Sequence, residues 1–260
     1  MDLRVGCCGW PVGRAVYSRR FALVEIQETF YNLPRPGTAV RWRAGAPEAF
    51  EFTLKAPQLI THEPTSPTYR RLRTPLPEGA RPRYGAFKPT AEVHAAWRAT
   101  AELARVLGAR IVVFQCPPSF TPTAEHRRNL EAFFGEIDRG GLALAWEPRG
   151  AWEDAAIGRL CRELGLIHCV DPFQRPPAWG SPAYFRLHGR DGYHYRYTDA
   201  ELAELLGICR GFEAVYCLFN NTHMFEDARR FLRLLGAGTG LEPGEESSRP
   251  GRGGPIRASR

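Results

Sequence analysis

Eleven residues able to do chemistry stand at or just beyond the ends of short apolar runs: Trp10, Glu25, Lys55, Gln115, Glu147, Arg149, Asp171, Arg186, His188, Asn220 and Asn221. Glu147 is the favoured general acid or base, the role a carboxylate plays beside a reacting bond. Lys55 is its electrostatic or basic partner; a lysine so placed can also form a Schiff base or neutralise a phosphate. The competing reading is a buried Lys55–Glu147 ion pair that fixes the polar end of the fold. Arg149, two residues after Glu147 and held by Pro148, could clamp a carboxylate or phosphate in bidentate fashion, or brace its own loop. Arg186 and His188 alternate on one run, so they share a face as substrate contacts, and the histidine could shuttle a proton. Asp171 could orient His188, bind a metal or cap its loop.

The assignments are therefore catalytic for Glu147, Lys55, His188 and Asp171. They are substrate-binding for Trp10, Glu25, Gln115, Arg149, Arg186, Asn220 and Asn221, joined by Arg70 and Arg71. Asn220-Asn221-Thr222, with Gly189, could form a phosphate cradle at a helix N-terminus; ordinary N-capping is the alternative. Glu25, Glu147, Asp171 and His188 could offer oxygen and nitrogen ligands. No HxH or HExxH spacing exists, so no metal site is assigned and no cofactor is expected, weakly held magnesium or manganese being the open alternative. Cys116 lacks any flanking nucleophile signature.

Eight runs must position these groups: Val5–Trp10, Val24–Tyr31, Phe50–Pro57, Ile111–Pro117, Leu142–Gly150, Ile167–Phe173, Ala183–Arg190 and Ala214–Thr222. Near-continuous apolar runs are the pattern of buried parallel strands. Alternating with helical patterns, they predict an α/β fold, a TIM (β/α)8 barrel whose C-terminal strand ends gather at one mouth. Helices are expected over Thr90–Leu107, from Thr121–Pro122 with proline at the first helical position, over Trp152–Leu164, after a Thr198/Glu201 capping box, and over Met224–Leu235. Gln174–Pro182 is too short and proline-rich for a helix, so the barrel should lack one between strands six and seven. Pro36–Ala49 reads as only weakly helical.

The expected organisation is one barrel domain over residues 1–236, with a long loop at 58–89 and a disordered tail at 237–260. The tail has too little apolar surface to offset its ordering entropy. The loop carries Arg70, Arg71, Arg73, Arg81, Arg83 and Lys88 against Glu63 and Glu78, and holds much of the chain's net charge of +7. Concentrated positive charge draws anions. The partners it predicts are an anionic small molecule or nucleic acid, without a membrane; no oligomeric state follows. The absence of a signal-like or 18-residue apolar segment and the odd count of 7 cysteines without a CxxC pair point to the cytoplasm.

In order along the chain, GCCGW, VEIQETFY, FTLKAPQLITH, FQCPPSF, WEPRG, YFRLHGR and FNNT before Asp227-Ala228 and Phe231 resemble the YecE-like family, domain of unknown function 72. The resemblance runs from Leu3 to Leu235, and the strings KAPQLITHEPTSPTYRRL and WEPRG are similar to its archaeal and thermophile-type branch. It implies a cytoplasmic TIM barrel with a polar mouth of unassigned chemistry. Fold-level analogy with endonuclease IV and sugar-isomerase barrels adds phosphate-bearing substrates. The expectation is an enzyme using acid/base chemistry on nucleic acid or a sugar phosphate, with a non-catalytic nucleic-acid-binding barrel as the alternative.

Overall fold

The computed structural model describes residues 1–77 and 79–239. Its strands are β1 (Asp2–Cys8), β2 (Leu23–Ile26), β3 (Glu51–Lys55), β4 (Ile111–Gln115), β5 (Ala143–Glu147), β6 (Ile167–Val170), β7 (Ala183–Leu187) and β8 (Ala214–Phe219). All pair in parallel, and β8 returns to β1, closing the barrel. Its helices are α1 (Arg14–Tyr17), α2 (Glu28–Tyr31), α3 (Pro36–Ala44), α4 (Gln58–Thr61), α5 (Ala91–Leu107), α6 (Ala124–Glu136), α7 (Asp154–Glu163), α8 (Asp199–Cys209) and α9 (Met224–Thr239). Residues 237–239 of the expected tail thus continue α9, and the rest of that tail lies outside the described residues.

Side-chain alternation splits the apolar residues into two clusters. The smaller fills the lumen with Cys8, Leu23, Val113, Ala145, Cys169, Tyr184 and Leu218 among others. The larger lies between strands and helices. A strand residue two places beyond a lumen residue also faces the lumen, so Glu25, Lys55, Gln115, Glu147 and Arg186 line its upper end. At the lower end Glu51 accepts from Tyr216 Oη at 2.5 Å and pairs with Arg4 and Arg110.

The local chemistry explains the helix ends. Thr198 and Glu201 form the expected capping box. The helix expected from Thr121–Pro122 starts later, at Ala124, because Thr123 accepts from the His126 amide at 3.1 Å and caps it. Pro36–Ala44 forms a full helix despite its weak pattern. Proline occupies its first turn, and Ala39 and Trp42 bury one face.

No helix joins β6 to β7. Instead the link folds back on β6: the His168 amide donates to Trp179 O at 2.9 Å, and His168 Nδ1 accepts from the Ala178 amide at 2.9 Å. Burial, with Arg175, lowers the His168 pKa to about 4, so the ring is the neutral acceptor this contact needs. Gly180 sits at φ +101°, where a Cβ would lie 2.7 Å from Ile167 Cα, so only glycine lets the link approach.

The 58–89 segment is pinned at its end. The Gly85 and Phe87 amides donate to Leu59 O and Ile60 O at 2.9 and 2.8 Å. Ala86 and Phe87 take left-handed φ values of 50° and 54°. Burial of Phe87 among Phe114, Phe120, Phe133 and Phe134 offsets the strain, which is about 1 kcal/mol per such residue.

Candidate active site

The centre of the upper lumen is Arg186, fully buried between two carboxylates. Its Nη1 donates to Glu147 Oε2, and its Nη2 lies 3.0 Å from Glu25 Oε1. The second contact is an ion pair outside hydrogen-bond alignment, and Arg186 Nε has no partner. Glu25 also accepts from Gln27 Nε2 and from Tyr184 Oη at 2.8 Å, and that hydroxyl contacts Thr53 Oγ1 at 2.8 Å. Glu147 Oε1 accepts from Arg149 Nε at 2.8 Å. Burial alone would raise the Glu147 pKa, but Arg186 and Arg149 outweigh it and hold the group well below the usual carboxylate range. Burial would likewise lower the Arg186 pKa, and Glu147 and Glu25 reverse that, keeping it charged.

The Lys55–Glu147 ion pair of the competing reading does not form. β4 and β5 align Gln115 with Glu147, while Lys55 on β3 aligns with Val113, so the Gln115 side chain stands between them. Lys55 Nζ donates to Gln115 Oε1 at 2.6 Å and sits 3.8 Å from the Phe30 ring centroid. Gln115 Nε2 donates to Cys116 O at 3.1 Å, which turns Oε1 toward the lysine. Burial first, then Arg186, lowers the Lys55 pKa to about 7, against the opposing pull of Glu147 and Glu25. These environments bear on the two expectations, Glu147 as general acid or base and Lys55 as its electrostatic or basic partner. The carboxylate is a fixed anion, and the amine titrates near neutrality.

Two cavities meet at Arg149. One, of about 590 Å³, is lined by Glu147, Asp171, Arg175, His188, Arg190 and Tyr193 among others; the second, of about 370 Å³, by His62, Thr65, Ser66, Gln115 and Pro118 among others. His188 Nε2 lies 2.6 Å from Arg149 Nη2 and accepts from it. Burial dominates a fall of the His188 pKa to about 4, so the ring is neutral, as this contact requires. Asp171 accepts from the His188 and Phe173 amides at 3.0 and 3.1 Å, so it positions the histidine and caps its loop at once. Burial raises its pKa. A larger cavity of about 960 Å³ lies at the opposite, N-terminal end beside α5 and α6. Among the described residues the one buried carboxylate at that end is Glu51, and it is paired with Arg4 and Arg110.

Several expected site residues are elsewhere. Trp10 packs in an outer aromatic cluster with Tyr17, Phe50 and Phe52, because Gly9 at φ +100° turns the chain off the barrel. Asn221 is fully buried and donates to Tyr195 O and Asp227 Oδ2, bracing the start of α9. The expected phosphate cradle is closed by the protein's own bonds. The amides of Gly189, Asn220 and Thr222 donate to Tyr197 Oη, Leu187 O and Tyr193 O. Arg71 stacks 3.6 Å from the Tyr31 ring centroid, and its carbonyl accepts from Asn32, so the Arg70–Arg73 stretch docks on the flank by α2. Among the described residues of the loop, the His62–Thr68 part lines the cavity that ends at Arg149. Among the described residues no cluster of three or more His, Cys, Asp or Glu side chains is arranged to hold a metal. Burial pushes the Cys116, Cys8 and Cys169 thiols up, leaving them protonated and inert. Thr53 and Tyr184 complete the network. Each lies two residues before a recognised mouth residue, a signal that strand alternation carries. Phe30 and His62, supplied by connecting segments, had no such signal.

A closed eight-stranded barrel with a charged C-terminal mouth defines a TIM-barrel protein. A profile described as "Protein of unknown function DUF72" matches residues 13–250, and the chain belongs to that family. It is 40% identical over 47 residues to the UPF0759 protein YecE of Escherichia coli K12, a match spanning 18% of this chain and 17% of that relative. Similar solved structures include a DUF72 family protein from Enterococcus faecalis V583 (TM-score 0.66, 19% identity, 90% of this chain and 98% of that one). Another comes from Thermotoga maritima MSB8 (TM-score 0.63, 20% identity, 90% and 99%). SacUVDE shares the fold at TM-score 0.59 and 6% identity, over 92% and 99% of the chains. No helix among the described residues is long and apolar enough to cross a membrane.

Proposed function

We propose that this chain is an enzyme acting by acid/base chemistry on a phosphate-bearing substrate, a sugar phosphate or nucleic acid, at the C-terminal mouth. One observation carries the reading: a cation, Arg149, that both cavities share stands beside a neutral imidazole, His188, while a titratable amine, Lys55, hydrogen-bonds Gln115 on the wall of the smaller cavity. Arg149 binds the phosphate, supported on the rim by Arg175 and Arg190. Glu147 holds Arg186 and Arg149 in place as a fixed anion, and Glu25 is a second carboxylate beside Arg186. Lys55, poised near the operating pH, takes and returns the proton. The barrel likeness to SacUVDE is a likeness of fold alone.

The test is binding and turnover of a panel of sugar phosphates and labelled single-stranded DNA, with wild type and Arg149→Ala. The reading expects phosphate-dependent binding that weakens by about tenfold or more in the variant, the scale of a lost charged hydrogen bond. It also expects a turnover limb near pH 7. Binding that ignores Arg149 refutes it. Binding of DNA with no turnover of any member would favour the non-catalytic alternative.

A further inference from the structure

The segment between β7 and α8 carries three tyrosines, and one is unlike the others. The Tyr195 hydroxyl donates to Glu201 Oε1 at 2.6 Å, and the Tyr197 hydroxyl accepts from the Gly189 amide at 2.8 Å. Tyr193 is instead 51% exposed and lines the 590 Å³ cavity with Arg149, His188 and Arg190. Among the described residues its one ring neighbour is His194, edge-on at 6.1 Å. Phe173, on the β6–β7 link, is by contrast covered by Arg190 at 4.1 Å and stacked on Tyr197. The backbone under Tyr193 is fixed. The Thr222 amide donates to Tyr193 O at 2.9 Å. Gly189 and Gly192 take φ values of +89° and +84°, in a turn where a Cβ on Gly189 would lie 2.2 Å from Gly192 O. A large ring held this way offers contact area at little entropy cost.

We propose that the mouth takes a single strand of nucleic acid, with an internal phosphodiester on Arg149, the base of one nucleoside stacked on Tyr193 in the larger cavity and the sugar of the next in the smaller; this rests on the phosphate-substrate reading above. Arg149 is where the two cavities meet. Its Nε and Nη2 are engaged by Glu147 and His188, and its Nη1 makes no hydrogen bond among the described residues. A terminal phosphate would end at this junction, whereas a diester continues on both sides of it. At about 590 and 370 Å³ each side is of ligand size.

The two walls differ as the two parts of a nucleotide do. The larger cavity offers an open ring face, on which every base can stack, with Arg175 and Arg190 beside it for flanking phosphates. The smaller is lined by Thr65, Ser66, Thr68 and Ser119, whose hydroxyls suit a sugar, and its carboxylate, Glu63, is paired with Lys88. A sugar phosphate would use Arg149 and the hydroxyl wall and leave the Tyr193 ring in water.

The experiment reads fluorescence anisotropy of the full chain with a labelled thymidine octanucleotide and with the same strand made abasic. The abasic strand carries the same phosphates and so subtracts the charge-driven part of binding. Wild type should bind the octanucleotide at least about fivefold more tightly than the abasic strand, the low end of what one stacked base contributes. Tyr193→Ala should abolish that preference, and Tyr193→Phe should keep it, since stacking needs the ring and not the hydroxyl. Ser119→Trp fills the smaller cavity from an exposed position. It should weaken the octanucleotide and leave thymidine 5′-phosphate, read by calorimetry, unchanged. Thermal melting checks the folding of each variant. Equal binding of the two strands by wild type, or a Tyr193→Ala chain that still prefers the bases, overturns the proposal, as does octanucleotide binding that Ser119→Trp leaves intact. Inorganic phosphate and glucose 6-phosphate, titrated into wild type and Arg149→Ala, separate the failures. Arg149-dependent binding of both without a preference for bases removes the strand alone, and absence of any Arg149-dependent binding removes the phosphate reading as well.

Discussion

Glu147→Gln should be severely destabilising, and the size follows from where the charge sits. Glu147 is 6% exposed, and Arg186, which it pairs with, is fully buried. Glutamine keeps the shape but leaves Arg186 with Glu25 as its sole carboxylate, in a contact already off hydrogen-bond alignment. Breaking one side of a buried pair costs about 3–5 kcal/mol. For a chain of this size each kcal/mol moves the midpoint by about 2–4 °C, so the melting temperature should fall by roughly 6–20 °C. Calorimetry or urea unfolding at pH 7 measures it. The pH profile is a second check. The folded Glu147 pKa is depressed, so its stabilisation is present above the ordinary carboxylate value of about 4.3 and is lost as pH falls toward the folded value. The gap between wild type and variant should therefore be constant from pH 8 to 5 and close below about pH 4. A midpoint within 2 °C of wild type at pH 7, or a gap that persists in acid, would refute the network as drawn.

Three further outcomes follow from the same contacts. Lys55→Met should stabilise the protein at pH 6 by on the order of a few kcal/mol. The folded pKa of about 7 lies below the ordinary 10.4, so burying the ammonium is unfavourable below pH 7 and relieved as pH rises to about 10; melting at pH 6 and 9.5 reads the convergence. Replacing Arg70 and Arg71 by Ala should change anion affinity less than about twofold in a fluorescence titration, since Arg71 docks on Tyr31 away from the mouth and exposed single charges contribute little. Tyr184→Phe removes a buried donor to Glu25 and a contact to Thr53, and should lower stability by about 1–3 kcal/mol in chemical denaturation without abolishing the fold.

The barrel was legible because its eight buried strands each satisfy the same demand, a short apolar run ending in polar residues. The helix absent between β6 and β7 was legible from QRPPAWGSP, which cannot supply helical amides. The parts that were not legible depend on distances that periodicity does not encode. Spacing places Lys55 and Glu147 at one mouth, but the parallel register interposes Gln115, and that single offset gives each charge a different partner. Asn221 looked like a phosphate ligand because nothing in NNT reveals Asp227 waiting six residues on to receive its amide. Arg70 and Arg71 read as substrate contacts because the sequence carries the loop's charge and not its path, which docks them on the flank by α2.

The mouth's electrostatics follow from an imbalance visible only once these contacts are assigned. Two buried carboxylates are fully engaged by two arginines, so the third cation is left without a counterion in a low-dielectric lumen. Desolvation then favours the form that carries no charge, and of the three cations only the lysine can adopt it. A guanidinium at position 55 would have to remain charged over Phe30 without a carboxylate. The same contacts hold Glu147 ionised and favour the neutral form of Lys55. Arg186 and Arg149, by stabilising the anion, are also the charges that depress the neighbouring amine.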